Sequence, residues 1–569
     1  MDTQRLILFS VFLFSLIMLW EAWQKEHAPR PPIAPPAVES PGAAGSVPSA
    51  GTAPGSQALA APATAARLPA TAAPALKTER VTISTDYLVA EVDGLGGTLT
   101  RVELVKHRDT ADKSRRFVLL EQGAERTYVA QSGLIGDALP NHKTAFAFVP
   151  GTRSLKDGDE RLELRMEAAP AGGARVTKVM VFHRSSYLID VRFEIANQGP
   201  APLHAFGYFQ FTRDSKPALG AQKFVSTFTG PAFYTDAGKF HKVEFADIDK
   251  GNAKIPGKAD NGWVAMLQHY FVAAWLPGKA TDAKAQYEYY AKKVDDNLYS
   301  AGVVLPVATI APGAAATLTV PLYAGPEEQD KLSAIAPGLD LVVDYGWLTI
   351  IAAPLFWVLE WFYRWVHNWG VAIILLTCLI KGLFFPLSAA SYKSMARMRV
   401  LAPRLTKLRE QYGEDRVKMN QAMMDLYKTE KINPLGGCLP ILVQIPVFIA
   451  LYWVLLASVE MRNAPFYGWI TDLSAPDTLF GTLPGLDMPI GLLPIIMTAT
   501  SYIQIKLNPT PPDPVQAKVM LIMPLAFGVM FFFFPAGLVL YWVVNNVLSI
   551  AQQWQITRMV EHGKDLAKR

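Results

Sequence analysis

The chain is poor in the residues that carry most small-site chemistry. Two of its 569 residues are cysteines, Cys378 and Cys438, and both lie in or beside apolar segments. The long polar stretch has none, so it gives no disulfide signal for or against an oxidising compartment. Nine histidines are scattered without the short spacings that gather metal ligands, and neither a metal nor another cofactor is expected. No dense lysine or arginine run accompanies the mild net charge of +5, which removes the footprint of a specific DNA binder. No nucleophile–base pair stands at a recognisable spacing. The glycine-rich Gly94-Leu95-Gly96-Gly97 reads as a tight turn between strands, because no helix follows it to hold a phosphate. His183 and His204 read as surface or strand residues. These absences argue against an enzyme.

Charge is scarce as well. Charged residues make up 18% of the chain and hydrophobic ones 51%, the balance of a membrane protein with a sizeable soluble part. At this length two or more domains are expected. Residues 1–27 hold an apolar run, Leu6 to Trp20, behind Arg5. No small-x-small cleavage site follows closely, so an uncleaved signal-anchor with interfacial Trp20 and Trp23 is expected. Residues 28–77 are rich in Ala and Pro and read as a flexible tether.

Residues 78–337 read as a periplasmic domain, and from about Thr78 to Tyr323 the hydrophobic period becomes two. Ile189, Val191, Phe193 and Ile195 alternate with Asp190, Arg192 and Glu194, the pattern of a half-buried strand. Val81 to Ser84 and Leu318 to Val320 read alike, with Gly172-Gly173 and Gly199-Pro200 as turns. Many short strands predict an antiparallel sandwich, closed by a short helix over 327–336.

The period changes again at Trp347. Residues 347–369 place Glu360, Arg364 and His367 on one polar stripe and Phe356, Trp357, Trp361, Phe362 and Trp365 on the rest, suiting a helix in the membrane interface. Asn368 and Gly370 mark a break. Residues 370–387 then form an apolar run that carries Lys381 four residues past Thr377. A lysine deep in a spanning helix costs roughly 2.5–3.5 kcal/mol and normally faces a bundle interior or a wet cavity. The competing reading is a lysine that snorkels to the headgroups. Residues 388–432 read as a basic helical hairpin. Met398, Leu401, Leu405 and Leu408 share a stripe, Arg397, Arg399, Arg404, Lys407 and Arg409 lie elsewhere, and Gly413 is the break.

Within 433–557 four further apolar runs follow: 439–457, 489–505, 519–534 and 538–550. They are trailed by a short basic tail, 558–569. The density of basic residues predicts that the hairpin, the 506–518 loop and the C-terminus are cytoplasmic, while the acidic 459–488 loop and the sandwich lie outside. With the anchor this makes a polytopic α-helical membrane protein of six spans with both termini inside.

Asn433-Pro434-Leu435-Gly436-Gly437-Cys438, then Pro440 and Gln444-Ile445-Pro446, the segment Phe534 to Trp542, and Pro386-Leu387 before a basic hairpin resemble the YidC/Oxa/Alb family of membrane protein insertases. The resemblance implies the six-span Gram-negative type, with a five-helix core over 347–557 around a hydrophilic groove open to cytoplasm and lipid. It places Lys381 where the family usually has arginine. The positive charge survives, but the bidentate fork does not. Thr377 and Trp542 match groove positions, and Tyr541 stands beside them. Gln444, Asn545 and Asn546 are polar residues in spans, readable either as groove lining or as helix–helix hydrogen bonding. Phe531 to Phe534, Tyr541 and Trp542 would offer an aromatic slide to a leaving client segment. The resemblance further implies nascent inner-membrane proteins as clients, among them small ATP synthase subunits. The implied partners are the Sec translocon, the SecD–SecF complex, the ribosome, signal recognition particle and membrane lipids, with the basic hairpin as docking surface. A secondary transporter using Lys381 for anions and a membrane-anchored periplasmic sugar-binding protein are the alternatives.

Overall fold

A computed structural model of the chain describes residues 78–109, 112–217, 227–280, 282, 285–412, 415–430, 439–485, 488–508 and 514–566. The expected signal-anchor and tether, and the Asn433 to Cys438 motif, lie outside the described residues.

Strand periodicity builds the first region as expected. Two nine-stranded sheets are described, with every strand pairing in them antiparallel. In one, Phe206–Asp214 lies between Thr127–Ile135 and Leu298–Pro306. In the other, Leu188–Asn197 lies between Ala174–His183 and Ala315–Pro326. Ile189, Val191, Phe193 and Ile195 are all buried, and each such side chain stabilises the fold by roughly 1.5–3 kcal/mol. The inner faces meet across the sandwich. The rings of Phe193 and Phe209 stand 6.1 Å apart, and Trp275 Nε1 donates to the Gln210 carbonyl at 3.2 Å.

The glycine motif forms a tight turn between strands. Gly96 and Gly97 take φ of 70° and 55°, between strands Leu88–Asp93 and Thr98–Arg108. Their carbonyls accept from the buried Lys178 ammonium at 2.8 and 2.9 Å. Burial pulls that lysine down to about 7. His183 pairs with Asp190 on the outer face at 2.9 Å.

A one-turn helix, α1 (Phe245–Asp249), interrupts the strands, and α2 (Gln329–Ile335) follows them at the predicted place. Next come α3 (Thr349–Val366), α4 (Trp369–Leu383), α5 (Phe385–Tyr412), α6 (Arg416–Thr429), α7 (Leu439–Ala457), α8 (Leu492–Leu507), α9 (Pro514–Phe531) and α10 (Ala536–Leu566). The break predicted near Asn368 is present: His367 ends α3 with φ 50°, and the Asn368 side chain caps α4 by accepting from Val371 N. At Gly370 a Cβ would meet the Phe466 ring at 2.0 Å, so only glycine lets α4 start there. The last helix runs to Leu566, well past Ile550, so most of the expected tail is helical. Among the described residues no single helix is long and apolar enough to cross a membrane, whereas α4 and the first part of α5, bent by 66°, pass that test together.

The sandwich rests on the end of α7 and the segment that follows it. His269 Nε2 donates to the Leu456 carbonyl at 2.9 Å, and the Arg462 guanidinium lies 5.2 Å from the rings of both Phe117 and Phe271. Glu460 is half-buried beside this contact, and its enclosed Oε2 has no hydrogen-bond partner among the described residues. Burial first, then the nearby Glu328, Glu360 and Asp330, lift its pKa to about 8. A carboxyl raised this way stabilises the fold fully below its ordinary 4.5, and that contribution fades as pH rises through about 8. His269, lowered by burial to about 4, acts on the other side: its contribution is present above 6.5 and lost as pH falls through about 4. The unfolding midpoint of wild type in detergent, measured relative to Glu460→Gln, is therefore expected to fall from pH 5 to pH 9, whatever the slope that Lys178 and His269 give both proteins. A variant with the full wild-type slope would show that Glu460 is not the responsible group.

Candidate functional site

Lys381 occupies the last turn of α4. One face of this helix, with Ala372, Ile373, Leu376, Thr377 and Ile380, is buried, and Lys381 sits at its margin, half-buried. Its Nζ donates to Ser549 Oγ on α10 at 2.6 Å. The Ser549 hydroxyl in turn donates to the Asn545 carbonyl one turn back at 2.7 Å. Asn545 Oδ1 accepts from Gln444 Nε2 of α7 at 2.6 Å, and the same amide lies 3.4 Å from the Tyr541 hydroxyl. A chain of polar contacts thus links α4, α7 and α10 through helices whose other faces are apolar. Beside it a small recess is lined by Ile380, Lys381, Phe384, Leu387, Ser388 and Gln444.

The period of α10 explains the arrangement. Tyr541, Asn545 and Ser549 recur every four residues and share one face, while Asn546 and Gln553 recur at seven on another. Lys381, Gln444, Tyr541 and Asn545 are therefore brought together. Asn546 is not: it is buried against α8, donating to Thr500 Oγ1 at 3.1 Å and Ser501 Oγ at 2.8 Å. Thr377 lies one turn before Lys381, buried, with its hydroxyl committed to the Ile373 carbonyl of its own helix at 2.7 Å. Trp542 packs edge-on to Phe448 at 4.5 Å and lies 5.2 Å from Phe531. Phe531 and Tyr541 are buried, so the expected aromatic slide is not presented by those two. The large apolar side chains that α9 exposes are Val519, Leu521, Ile522, Phe527 and others beside them. Such a surface suits lipid rather than water. On α3, Ile350, Trp357, Trp361 and Trp365 are exposed along one stripe.

In the hairpin of α5 and α6, Arg397, Arg399, Arg404 and Lys407 are exposed opposite the buried Leu401 and Leu405. Arg404 Nη1 pairs with Glu430 at 2.7 Å, tying the two helices together. Asp415 caps α6 by accepting from Val417 N and Lys418 N. Arg409 belongs to α5, but its side chain lies outside the described residues.

Two features escaped the sequence reading. Ser549 could have been found by extending the four-residue polar stripe from Tyr541 through Asn545. Asp477 could not. Its carboxylate accepts from Leu493 N at 2.9 Å, Leu479 N at 3.1 Å and Trp469 Nε1 at 3.2 Å, joining the 459–491 loop to the start of α8. The same loop caps α10, because Ala536 N and Gly537 N donate to the carbonyls of Ala475 and Leu473.

A β-sandwich domain followed by an apolar helical region that holds one lysine on a polar track defines a membrane-embedded protein with a large domain outside the lipid. A family model described as YidC periplasmic domain matches residues 80–358, and one described as 60Kd inner membrane protein matches residues 361–564. The membrane protein insertase YidC of Aromatoleum aromaticum is 58% identical over 569 residues, covering 100% of both chains. Its counterpart in Nitrosospira multiformis is 56% identical over 571 residues, covering 99% of this chain and 98% of that one. The chain belongs to the YidC family of membrane protein insertases. The family carries its β domain in the periplasm and its helical region in the inner membrane. A crystal structure of an active YidC insertase with its first transmembrane domain resolved aligns at a TM-score of 0.39 and 17% identity, over 84% of this chain and 92% of that one. A galactose mutarotase related enzyme from Lactobacillus acidophilus aligns at 0.30 and 10% identity, over 43% of this chain and 97% of that one. The relatives support neither the transporter nor the sugar-binding alternative.

Proposed function

We propose that this chain inserts nascent inner-membrane proteins by receiving a short polar tail beside Lys381 and releasing the adjoining apolar segment into lipid. The contact that carries the reading is Lys381 Nζ on Ser549 Oγ, a cation held between α4 and α10 beside a recess that α5 and α7 also line. Each charge moved through hydrocarbon is costly, and a polar recess reaching part-way across shortens that barrier. A fixed positive charge in it attracts acidic residues of the tail. Partition of the apolar segment into lipid then drives release, so no nucleotide hydrolysis is required.

In this reading the helical region contributes five spans and the anchor a sixth. The α5–α6 hairpin and both termini are cytoplasmic. Arg397, Arg399, Arg404, Lys407 and Arg409 form the docking surface for the ribosome and signal recognition particle, and the Sec translocon with SecD–SecF is the partner for larger clients. Gln444 lines the recess with Lys381, and Tyr541 and Asn545 hold Gln444 from the α10 side. Thr377, Trp542 and Asn546 serve it from behind, by packing. The 459–491 loop closes the periplasmic end.

The test is insertion of a small two-span client with an acidic tail into vesicles holding only this protein. Wild type and Lys381→Arg are expected to insert it, and Lys381→Ala to lose about tenfold, the scale of one charge-assisted contact. Equal insertion by all three would remove the charge from the mechanism. Failure of wild type would remove autonomous insertion.

A further inference from the structure

The position of Lys381 raises a question that its charge alone does not answer. It stands three residues before the break at Phe384, where Leu383 and Phe385 are both exposed. A lysine there has a stem long enough to carry its ammonium out toward headgroups. Instead the ammonium lies inward on Ser549, a residue 1% exposed. The hydroxyl hydrogen of Ser549 is committed to the Asn545 carbonyl, so toward Lys381 its oxygen can only accept. Among the described residues Lys381 has no carboxylate partner.

We infer that Ser549 is the positioning residue of this site: it holds the Lys381 ammonium inside the recess while leaving its charge uncompensated. The inference rests on the proposed function and deepens it. A carboxylate in place of Ser549 would also hold the lysine but would neutralise it. A hydroxyl is a neutral acceptor, and an incoming client carboxylate forms the stronger, charge-assisted bond and displaces it. Asn545 sets the rotamer of Ser549 through its backbone carbonyl and is itself held by Gln444, so the acceptor is pre-aimed.

The experiment compares wild type, Ser549→Ala, Ser549→Thr and Lys381→Ala in vesicles, each with an acidic-tailed client and with the same client after Asp→Asn changes in its tail. Ser549→Ala is expected to lower insertion of the acidic client about tenfold, the scale of a hydrogen bond to a charged group, and to leave the neutral client within about twofold. Ser549→Thr, which keeps the hydroxyl, is expected to restore the acidic client. In parallel, labelling of Lys381 by a water-soluble amine reagent, read by peptide mass spectrometry, is expected to rise in Ser549→Ala. Equal loss with both clients would mean Ser549 only packs the helices and would overturn the inference. So would unchanged insertion and labelling in Ser549→Ala, or failure of threonine to rescue. If Lys381→Ala inserts the acidic client as wild type does, the proposed function falls and the inference with it. If Lys381→Ala is impaired and Ser549→Ala is not, only the inference falls.

Discussion

Lys381→Glu is expected to reduce insertion of acidic-tailed clients by at least a hundredfold, and to recover it when the tail acids are replaced by lysine. Two unit charges 4 Å apart interact by about 4 kcal/mol at an effective dielectric near 20. Reversing one turns that attraction into repulsion of similar size. Water in the recess screens part of this, and about 3 kcal/mol of net loss already corresponds to the hundredfold effect. The reversal also tests geometry. Ser549 donates to the Asn545 carbonyl and offers Lys381 only lone pairs, so the substituted carboxylate would face an acceptor and lose its anchor. The measurement is protease protection of the client's translocated tail in vesicles. Loss without recovery by the basic-tailed client would point to misfolding rather than charge.

Asp477→Ala is expected to lower the stability of the intact chain in detergent by about 1–3 kcal/mol or more, the cost of leaving a buried N–H donor without its acceptor. The residue is 6% exposed, and its two oxygens receive three donors. One of them, Leu493 N, is an otherwise orphaned amide in the first turn of α8, whose own N-cap position, Gly491, has no side chain to offer. A Cβ at Gly491 would lie 2.4 Å from the Asp477 carboxyl carbon, so glycine is required by the close approach and cannot cap for itself. Asp477 supplies the cap from another part of the chain, and its negative charge suits the positive end of the helix dipole. Asp477→Asn replaces one acceptor with a donor facing an N–H and should recover only part of the loss. Thermal unfolding gives the midpoint, and limited proteolysis within 459–491 reports whether the loop lifts first. A midpoint unchanged in Asp477→Ala would mean that water replaces the carboxylate without cost.

Much of the architecture was legible because it follows from local rules. Period-two alternation predicted the strand Leu188–Asn197, whose register places Phe193 opposite Lys178 and Leu318. The Asn368 cap predicted the break before α4, and the apolar run from Leu439 to Ala457 is a helix over that span. Helix ends without a strong stop signal were read less well. The apolar run in α10 fades after Ile550, yet good helix formers carry the helix on to Leu566.

Within the site, sequence alone determined which residues cannot rest in lipid: Lys381, Gln444, Asn545 and Asn546 each need a partner, because an unpaired polar group in an apolar bundle is costly. Only the tertiary structure decided who the partners are. Asn545 and Asn546 are adjacent and chemically identical, but 100° per residue on α10 sends one to Gln444 and the other to Thr500 and Ser501. Lys381 could have snorkelled outward or turned inward. Residue 549, 168 positions along the chain, settles the choice by placing a hydroxyl oxygen 2.6 Å from the ammonium. Polarity is a property of a residue and can be read in one dimension. Which polar groups meet depends on helix phase and crossing, which exist only in three.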